Sequence, residues 1–221
     1  MMNKRVLLLC GHYGSGKTNI AVNLAQEIRR EYPTVTLADL DIVNPYFRSK
    51  DSAAELEEAG IRLICSHYAN SNVDIPALPP DLYALTDDRR MRAVIDVGGD
   101  DRGALVLGRL APAILEENDY EMLMVINRYR PLTRDAASTV EVMREIEAAS
   151  AGIRFTALVN NSNLGVETTA EDVLASVQYA NEVAAMSGLP VVMTTVDERL
   201  EEELKDKISN LFSLKLQKKI Q

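Results

Sequence analysis

Residues 4–18 read KRVLLLCGHYGSGKT, and this stretch decides the fold of the chain. Its first half is a short, nearly continuous apolar run, which is typical of a β-strand covered on both faces. Its second half follows the pattern Gly-x-x-x-x-Gly-Lys-Thr, and a helical pattern comes directly afterwards with Ile20, Leu24 and Ile28 on one face. A strand, a glycine-rich loop and a helix in this order are the structural context of a phosphate-binding loop.

The residue types in this loop each suit a bound nucleotide. Glycines let successive N–H groups turn inward around an anion, and the amino end of the following helix adds the positive end of its dipole. Lys17 is expected to reach the β- and γ-phosphates, and the hydroxyl of Thr18 is expected to bind Mg²⁺. We therefore predict that the nucleotide is held by the whole loop, which consists of Gly11, His12, Tyr13, Gly14, Ser15, Gly16, Lys17 and Thr18.

Composition narrows the class of protein. The chain has 221 residues, of which 47% are hydrophobic, so we expect a single nucleotide-binding domain over residues 1–221. No stretch reaches the ~18 apolar residues that cross a bilayer, and the net charge of −9 disfavours nonspecific binding to nucleic acid. Cys10 and Cys65 do not form a Cys-x-x-Cys pair. We expect a cytoplasmic protein with no zinc site and with neither nucleic acid nor membrane among its partners.

Apolar runs alternate with longer amphipathic segments along the chain. The runs predict strands near residues 4–10, 35–40, 61–65, 91–96, 120–126, 153–159 and 190–195. Further helices are predicted over about 132–149 and 169–187, the second with a capping box from Thr168 to Glu171. This alternation predicts an α/β fold with a doubly wound, mainly parallel sheet of about seven strands.

Two segments do not fit this alternation. Residues 66–80 contain three prolines and two asparagines after a predicted strand, and we interpret them as a long loop with a functional role. The C-terminal segment fits two structures. The spacing of residues 200–211 suits a helix, whereas the alternation of residues 212–217 suits a strand.

Acidic residues close two of the predicted strands. Asp39 and Asp41 follow the second strand, and Asp96 ends an apolar strand before Gly98 and Gly99. In a parallel sheet these strand ends meet at the edge where the glycine loop lies. A phosphate-binding loop needs carboxylates for the metal and a group that orients the nucleophile, and these residues are the candidates.

With these motifs the chain resembles the MinD/ParA branch of P-loop ATPases over residues 4 to about 197. The matching pieces are GHYGSGKT, the Asp-x-Asp pair, DVGG at 96–99 and FTALVNN at 155–161. The resemblance implies the P-loop NTPase fold, with ATP or ADP and Mg²⁺ as cofactors. It also implies that Asp39 lies near the metal with Thr18 and Asp96, and that Asp41 and Lys17 are catalytic, with Asp41 positioning the attacking water.

The resemblance further implies that Asn160 contacts adenine, because an amide can pair with the N6 and N7 edge of that base. No Asn-Lys-x-Asp motif is present to bind guanine. The family usually has a lysine at the second loop position, where this chain has His12. A neutral imidazole cannot supply the same permanent charge. Either another cation supplies it, with Arg48 and Arg102 as the candidates, or the protein hydrolyses slowly, and we expect weak intrinsic activity.

Three functions remain open from the sequence. The first is an ATP-hydrolysing switch that acts on a protein partner. Such a switch is compatible with a nucleotide-dependent homodimer. The second is a small-molecule kinase or an ATP-dependent ligase, whose acceptor pocket would use residues 66–80 and the basic loop with Arg128, Arg130 and Arg134. The third is a metallocentre-assembly ATPase, which the missing Cys-x-x-Cys pair disfavours.

Overall fold

In the described part of the chain, eight parallel strands form one sheet. The computed structural model describes residues 3–40, 52–65, 80–98 and 101–216. The strands are β1 Val6–Cys10, β2 Val35–Asp39, β3 Arg62–Cys65, β4 Arg92–Asp96, β5 Tyr120–Ile126, β6 Ala157–Asn160, β7 Val191–Asp197 and β8 Leu211–Leu214. Their order across the sheet is β3-β2-β4-β1-β5-β6-β7-β8, and all neighbouring strands run parallel.

Helices cover both faces of this sheet. They are α1 Lys17–Glu31, α2 Ala53–Glu58, α3 Ala84–Asp87, α4 Asp101–Glu117, α5 Ala136–Ala149, α6 Ala170–Ser187 and α7 Glu201–Leu204. Apolar side chains of α1 and α2 pack on one face, and those of α3, α4, α5 and α6 pack on the other. The predicted doubly wound α/β fold is therefore confirmed. None of the helices in the described part of the chain is long and apolar enough to span a bilayer.

Several elements differ from the sequence-based expectation. The C-terminal segment forms the strand β8 beside β7, so the sheet has eight strands where about seven were expected. The capping box of α6 joins Thr169 and Asp172, one residue beyond the predicted pair. Helix α4 was not predicted, because Gly103, Gly108 and Pro112 interrupt its helical pattern. The predicted loop 66–80 lies outside the described residues, apart from Pro80.

The glycine loop follows β1 and lies at the topological switch point of the sheet, where the order of the strands reverses. Strands β2, β3 and β4 lie on one side of β1, and β5 to β8 lie on the other. Asp39 at the end of β2 is in register with Asp96 at the end of β4, and Asp96 is also in register with Leu9 of β1. Ligands of open α/β sheets bind at such a point, outside the carboxyl ends of the strands.

The opposite end of the sheet contains a buried ion pair. Arg5 is 4% exposed, and its guanidinium donates to the carboxylate of Glu117 and to the carbonyls of Leu85 and Met91. We expect Glu117→Gln to lower the free energy of unfolding by about 3 kcal/mol, because it leaves the Arg5 charge buried without its anion. Urea unfolding measures this loss, and Glu116→Gln on the exposed side of α4 is the control.

The effect of this pair is expected to depend on pH. Hydrogen bonding from Arg5 holds the pKa of Glu117 below its ordinary value of 4.5. The pair therefore contributes fully above pH 4.5, and its contribution is lost as the pH falls through the lowered pKa. The free energies of unfolding of Glu117→Gln and Glu116→Gln should then become equal in acid. A difference that persists in acid would contradict the role of the Arg5–Glu117 ion pair.

Candidate functional site

The glycine loop turns tightly between β1 and α1. The N–H of Ser15 donates to the carbonyl of His12 at 3.1 Å, and the N–H of Ile20 donates to the carbonyl of Gly16 at 3.3 Å. Gly11 has φ +149° and Gly16 has φ +90°. A Cβ atom would lie 2.4 Å from the carbonyl oxygen of Val125 at the first position and 2.2 Å from Nδ2 of Asn161 at the second. Only glycine fits this path of the backbone.

Three polar side chains of the loop are buried: Ser15, Lys17 and Thr18. Lys17 is 4% exposed, and its Nζ donates to the carbonyl of Gly11 at 3.0 Å and to that of His12 at 3.5 Å. Ser15 is 1% exposed, and its hydroxyl has no hydrogen-bond partner among the described residues. An anion in the loop would give both groups an acceptor, so the residues present fit a bound phosphate.

The predicted metal-binding residues lie together at the start of α1. The hydroxyl of Thr18 donates to Oδ2 of Asp96 at 2.6 Å, and Asp96 is fully buried. Asp39 is also buried, and its register with Asp96 puts both residues on the sheet face that carries α1. Carboxylate and hydroxyl oxygens are ligands that Mg²⁺ prefers. Asp41 lies outside the described residues.

The described residues do not contain a group of three or more His, Cys, Asp or Glu side chains that would hold a metal ion alone. Mg²⁺ usually keeps several waters and is bound by one or two carboxylates together with substrate phosphates. A metal at this position would thus depend on Thr18 and the two carboxylates for its protein contacts. The assignment of Asp39 and Asp96 to the metal stays a prediction.

His12 is half-buried at the second position of the loop. Burial lowers its pKa below the ordinary value of 6.5, and the nearby ammonium of Lys17 lowers it further. In the nucleotide-free protein the lowered pKa favours the neutral imidazole at pH 7. Arg48 and the side chain of Arg102, the other two candidates, lie outside the described part of the chain.

The lowered pKa of His12 predicts a specific pH dependence. We expect His12→Ala to change kcat less than about twofold near neutral pH, because a neutral ring adds no charge to the transition state. Any rise in wild-type activity on acidification should begin below pH 6.5. His12→Lys should raise turnover and flatten the profile. Phosphate-release rates across about pH 5 to 9 measure this, and a loss above about tenfold in His12→Ala at neutral pH would contradict it.

Asn160 does not have the surroundings of a residue that contacts a base. Its side chain is fully buried, and its Nδ2 donates to Oγ of Ser176 at 2.8 Å. Its Oδ1 accepts from the N–H and the hydroxyl of Ser162 at 3.3 and 2.8 Å. Both ends of the amide are engaged inside the protein, so the structure argues against the predicted contact with adenine.

The next residue, Asn161, supports the glycine loop instead. Its Nδ2 donates to the carbonyl of Ser15 at 2.6 Å, and its Oδ1 accepts from the hydroxyl of Thr195 at 2.6 Å. The amide thereby joins the phosphate-binding loop to the ends of β6 and β7. Sequence reasoning missed this role, although the doubled asparagine at the end of the strand was the signal.

The basic loop after β5 does not form the arginine cluster that the sequence suggested. Arg128 donates to the carbonyl of Ala175 at 2.8 Å, and Arg134 pairs with Asp135 at 3.5 Å. Arg130 alone reaches the phosphate-binding loop, where its Nε donates to the carbonyl of Gly14 at 2.7 Å. Tyr13, at the apex of the same loop, is 48% exposed.

Comparisons with known proteins agree with this fold. No protein-family model matches the chain. A signal recognition particle protein from Mycobacterium leprae is 28% identical in an alignment 206 residues long, which covers 89% of this chain and 36% of that protein. The chain therefore spans about a third of the length of that curated relative.

Solved structures are similar at lower identity. The signal recognition particle receptor FtsY from Elizabethkingia anophelis has a TM-score of 0.52 at 18% identity, over 91% of this chain and 62% of that one. The cell division protein FtsY from Thermotoga maritima has a TM-score of 0.56 at 19% identity, over 88% of this chain and 62% of that one. The signal recognition particle 54 kDa protein from Aeropyrum pernix, solved with GDP, has a TM-score of 0.52 at 20% identity, over 86% of this chain and 41% of that one. The chain thus has the P-loop NTPase fold.

Proposed function

We propose that the chain is a single-domain, Mg²⁺-dependent nucleoside triphosphatase that hydrolyses ATP slowly and works as a nucleotide-dependent switch. The observation that carries this proposal is the hydrogen bond of 2.6 Å between Thr18 and Asp96 beside the buried ammonium of Lys17. A hydroxyl, a carboxylate and a lysine at one helix start are the groups that phosphoryl transfer from a nucleotide requires.

The residues divide the work between binding and positioning. The backbone N–H groups of the loop and Lys17 hold the β- and γ-phosphates. Thr18, Asp39 and Asp96 hold the metal, and Mg²⁺ when bound neutralises charge on the phosphate oxygens. Asp41 orients the attacking water. Only the family resemblance of the Asp-x-Asp pair supports this role. Asp41→Ala should then abolish hydrolysis while ATP still binds.

Slow turnover follows from the charge at the second loop position. The transition state spreads negative charge over the γ-phosphoryl oxygens, and a second cation is worth ~10³-fold or more in rate. Burial and the ammonium of Lys17 lower the pKa of His12, which disfavours the charged imidazole as that second cation. We therefore expect turnover to rise when a partner, or a second copy of the chain, brings a cation to the site.

The choice of base rests on the loop after β6. Two of the similar structures were solved with GDP, which makes guanine the alternative. Similarity of fold does not determine which base is bound, because the loops at the end of the sheet contact the base. The guanine-binding motif Asn-Lys-x-Asp places a carboxylate three residues after its asparagine. Here Asn161 has Leu164 at that position, so the guanine N2 donors lack this acceptor, and we propose ATP.

The kinase or ligase alternative has less support. It relied on residues 66–80, most of which lie outside the described part of the chain, and on an arginine cluster. Arg128 and Arg134 are engaged with Ala175 and Asp135 and do not face a shared acceptor pocket with Arg130. No described contact favours an acceptor substrate over water.

Phosphate release from the full chain tests the proposal. We expect slow release from Mg-ATP, none after removal of Mg²⁺ by a chelator, and slower release from Mg-GTP. Gel filtration with light scattering, with and without a nonhydrolysable ATP analogue, reports whether the nucleotide favours a dimer. The proposal is wrong if the chain neither binds nor hydrolyses either triphosphate.

A further inference from the structure

We infer that the charge of Arg130 strengthens nucleotide binding by acting on the bound polyphosphate, an effect on affinity that is distinct from the transition-state cation missing at the second loop position. This inference rests on the proposed function, because it requires a nucleotide in the phosphate-binding loop. The contact that carries it is the hydrogen bond of 2.7 Å from Nε of Arg130 to the carbonyl of Gly14. The arginine comes from the loop after β5, 116 residues away along the chain.

The guanidinium lies against the apex of the loop. A Cβ atom on Gly14 would lie 3.2 Å from Nε, 3.6 Å from Cδ and 4.0 Å from Cζ of Arg130. Gly14 has φ +74°, so glycine serves both the left-handed turn and the close approach of the arginine. The charge is thus held beside the backbone that binds phosphate.

The charge is not neutralised by a described carboxylate. The other two arginines of the loop are engaged elsewhere, Arg128 with Ala175 and Arg134 with Asp135. Arg130 is half-buried, and its two terminal nitrogens have no hydrogen-bond partner among the described residues. A guanidinium with free N–H donors beside an anion site is suited to phosphate recognition.

The backbone around Arg130 is fixed, which keeps the charge in place. The N–H of Arg130 donates to the carbonyl of Asn127 at 3.1 Å, and the N–H of Thr133 donates to the carbonyl of Arg130 at 3.1 Å. The hydroxyl of Thr133 also donates to the carbonyl of Asn127 at 2.6 Å. Pro131 follows directly and restricts the backbone further. The backbone of Arg130 therefore needs no further ordering when the nucleotide binds.

The expected size of the effect follows from distance. A phosphate bound by the loop would lie within about 10 Å of a guanidinium that touches the loop carbonyl, and this distance is about one Debye length at an ionic strength of about 0.1 M. At an effective dielectric constant of about 20, one charge at this distance changes affinity about tenfold. The effect should be larger for ATP than for ADP, because ATP carries more negative charge.

Three variants at position 130 separate charge from hydrogen bonding. Arg130→Lys keeps a charge, Arg130→Gln keeps a donor without charge, and Arg130→Met keeps neither. We expect Kd for Mg-ATP to rise about tenfold in the Gln and Met variants and to stay within about threefold of wild type in the Lys variant. The salt dependence of Kd should become shallower in the Gln and Met variants alone.

Arg134→Gln is the matched control, because it removes the same charge from the same loop at a residue paired with Asp135. Thermal unfolding of each variant checks that the fold is kept. If Arg130→Gln binds as tightly as Arg134→Gln, or if Arg130→Lys binds as weakly as Arg130→Gln, the inference is wrong while the proposed function stands. If the wild-type chain binds no nucleotide, the proposed function fails and the inference fails with it.

Discussion

Lys17→Ala is expected to lower kcat/KM for ATP hydrolysis by about 10³-fold, the largest effect of any single substitution in the site. The ammonium is 4% exposed and already lies within 3.0 Å of the Gly11 carbonyl, so its charge is delivered in a site with little water. A charge in such surroundings stabilises phosphate oxygens far more than it would in bulk solvent. Steady-state phosphate release measures the loss.

Lys4→Ala is the control for this change, since Lys4 precedes the opposite end of the same strand and is 44% exposed in its pair with Asp119. It should leave kcat/KM unchanged. Turnover of Lys17→Ala within about tenfold of wild type would remove this residue from the mechanism.

Asp96→Asn is expected to lower turnover about 100-fold and to raise the Mg²⁺ concentration needed for half-maximal activity. The asparagine can still accept the hydrogen bond from Thr18, but it removes the negative charge that attracts the metal. Activity measured against increasing Mg²⁺ distinguishes a metal-binding role from a purely structural one, because only the first is partly rescued by excess metal.

Substitutions at Thr18 complete this test. Thr18→Ser keeps the hydroxyl that donates to Asp96 and should retain most activity, whereas Thr18→Val removes it and should resemble Asp96→Asn. An unchanged Mg²⁺ requirement in both Asp96→Asn and Thr18→Val would show that these residues do not hold the metal.

The fold was predictable where one local pattern determined the structure. The apolar run before Gly11 and the lysine-threonine pair after Gly16 identify strand, loop and helix, and Asp96 could be placed because an acidic residue closed a buried strand. These signals are local in sequence and depend on the chemistry of phosphate and of parallel sheets. They gave the candidate positions of Lys17, Thr18 and Asp96 without any long-range contact.

The remaining features depend on contacts between distant segments. Asn160 and Asn161 are adjacent in sequence, yet the strand alternates their directions, so one is enclosed by Ser162 and Ser176 and the other reaches the glycine loop. The resemblance singled out Asn160, whereas the residue that reaches the phosphate-binding loop is Asn161. Arg130 could not be distinguished from its neighbours in the basic loop, because its contact with Gly14 exists only after β5 lies beside β1.

Titration calorimetry of the full chain with Mg-ATP and Mg-GTP, repeated with Lys17→Ala, tests the central claim most directly. We expect one Mg-ATP per chain, a Kd for Mg-GTP at least about tenfold weaker, and no measurable heat from Lys17→Ala with either nucleotide. Equal or tighter binding of Mg-GTP would contradict the choice of base. The absence of heat from the wild-type chain with both nucleotides would contradict the nucleotide site itself.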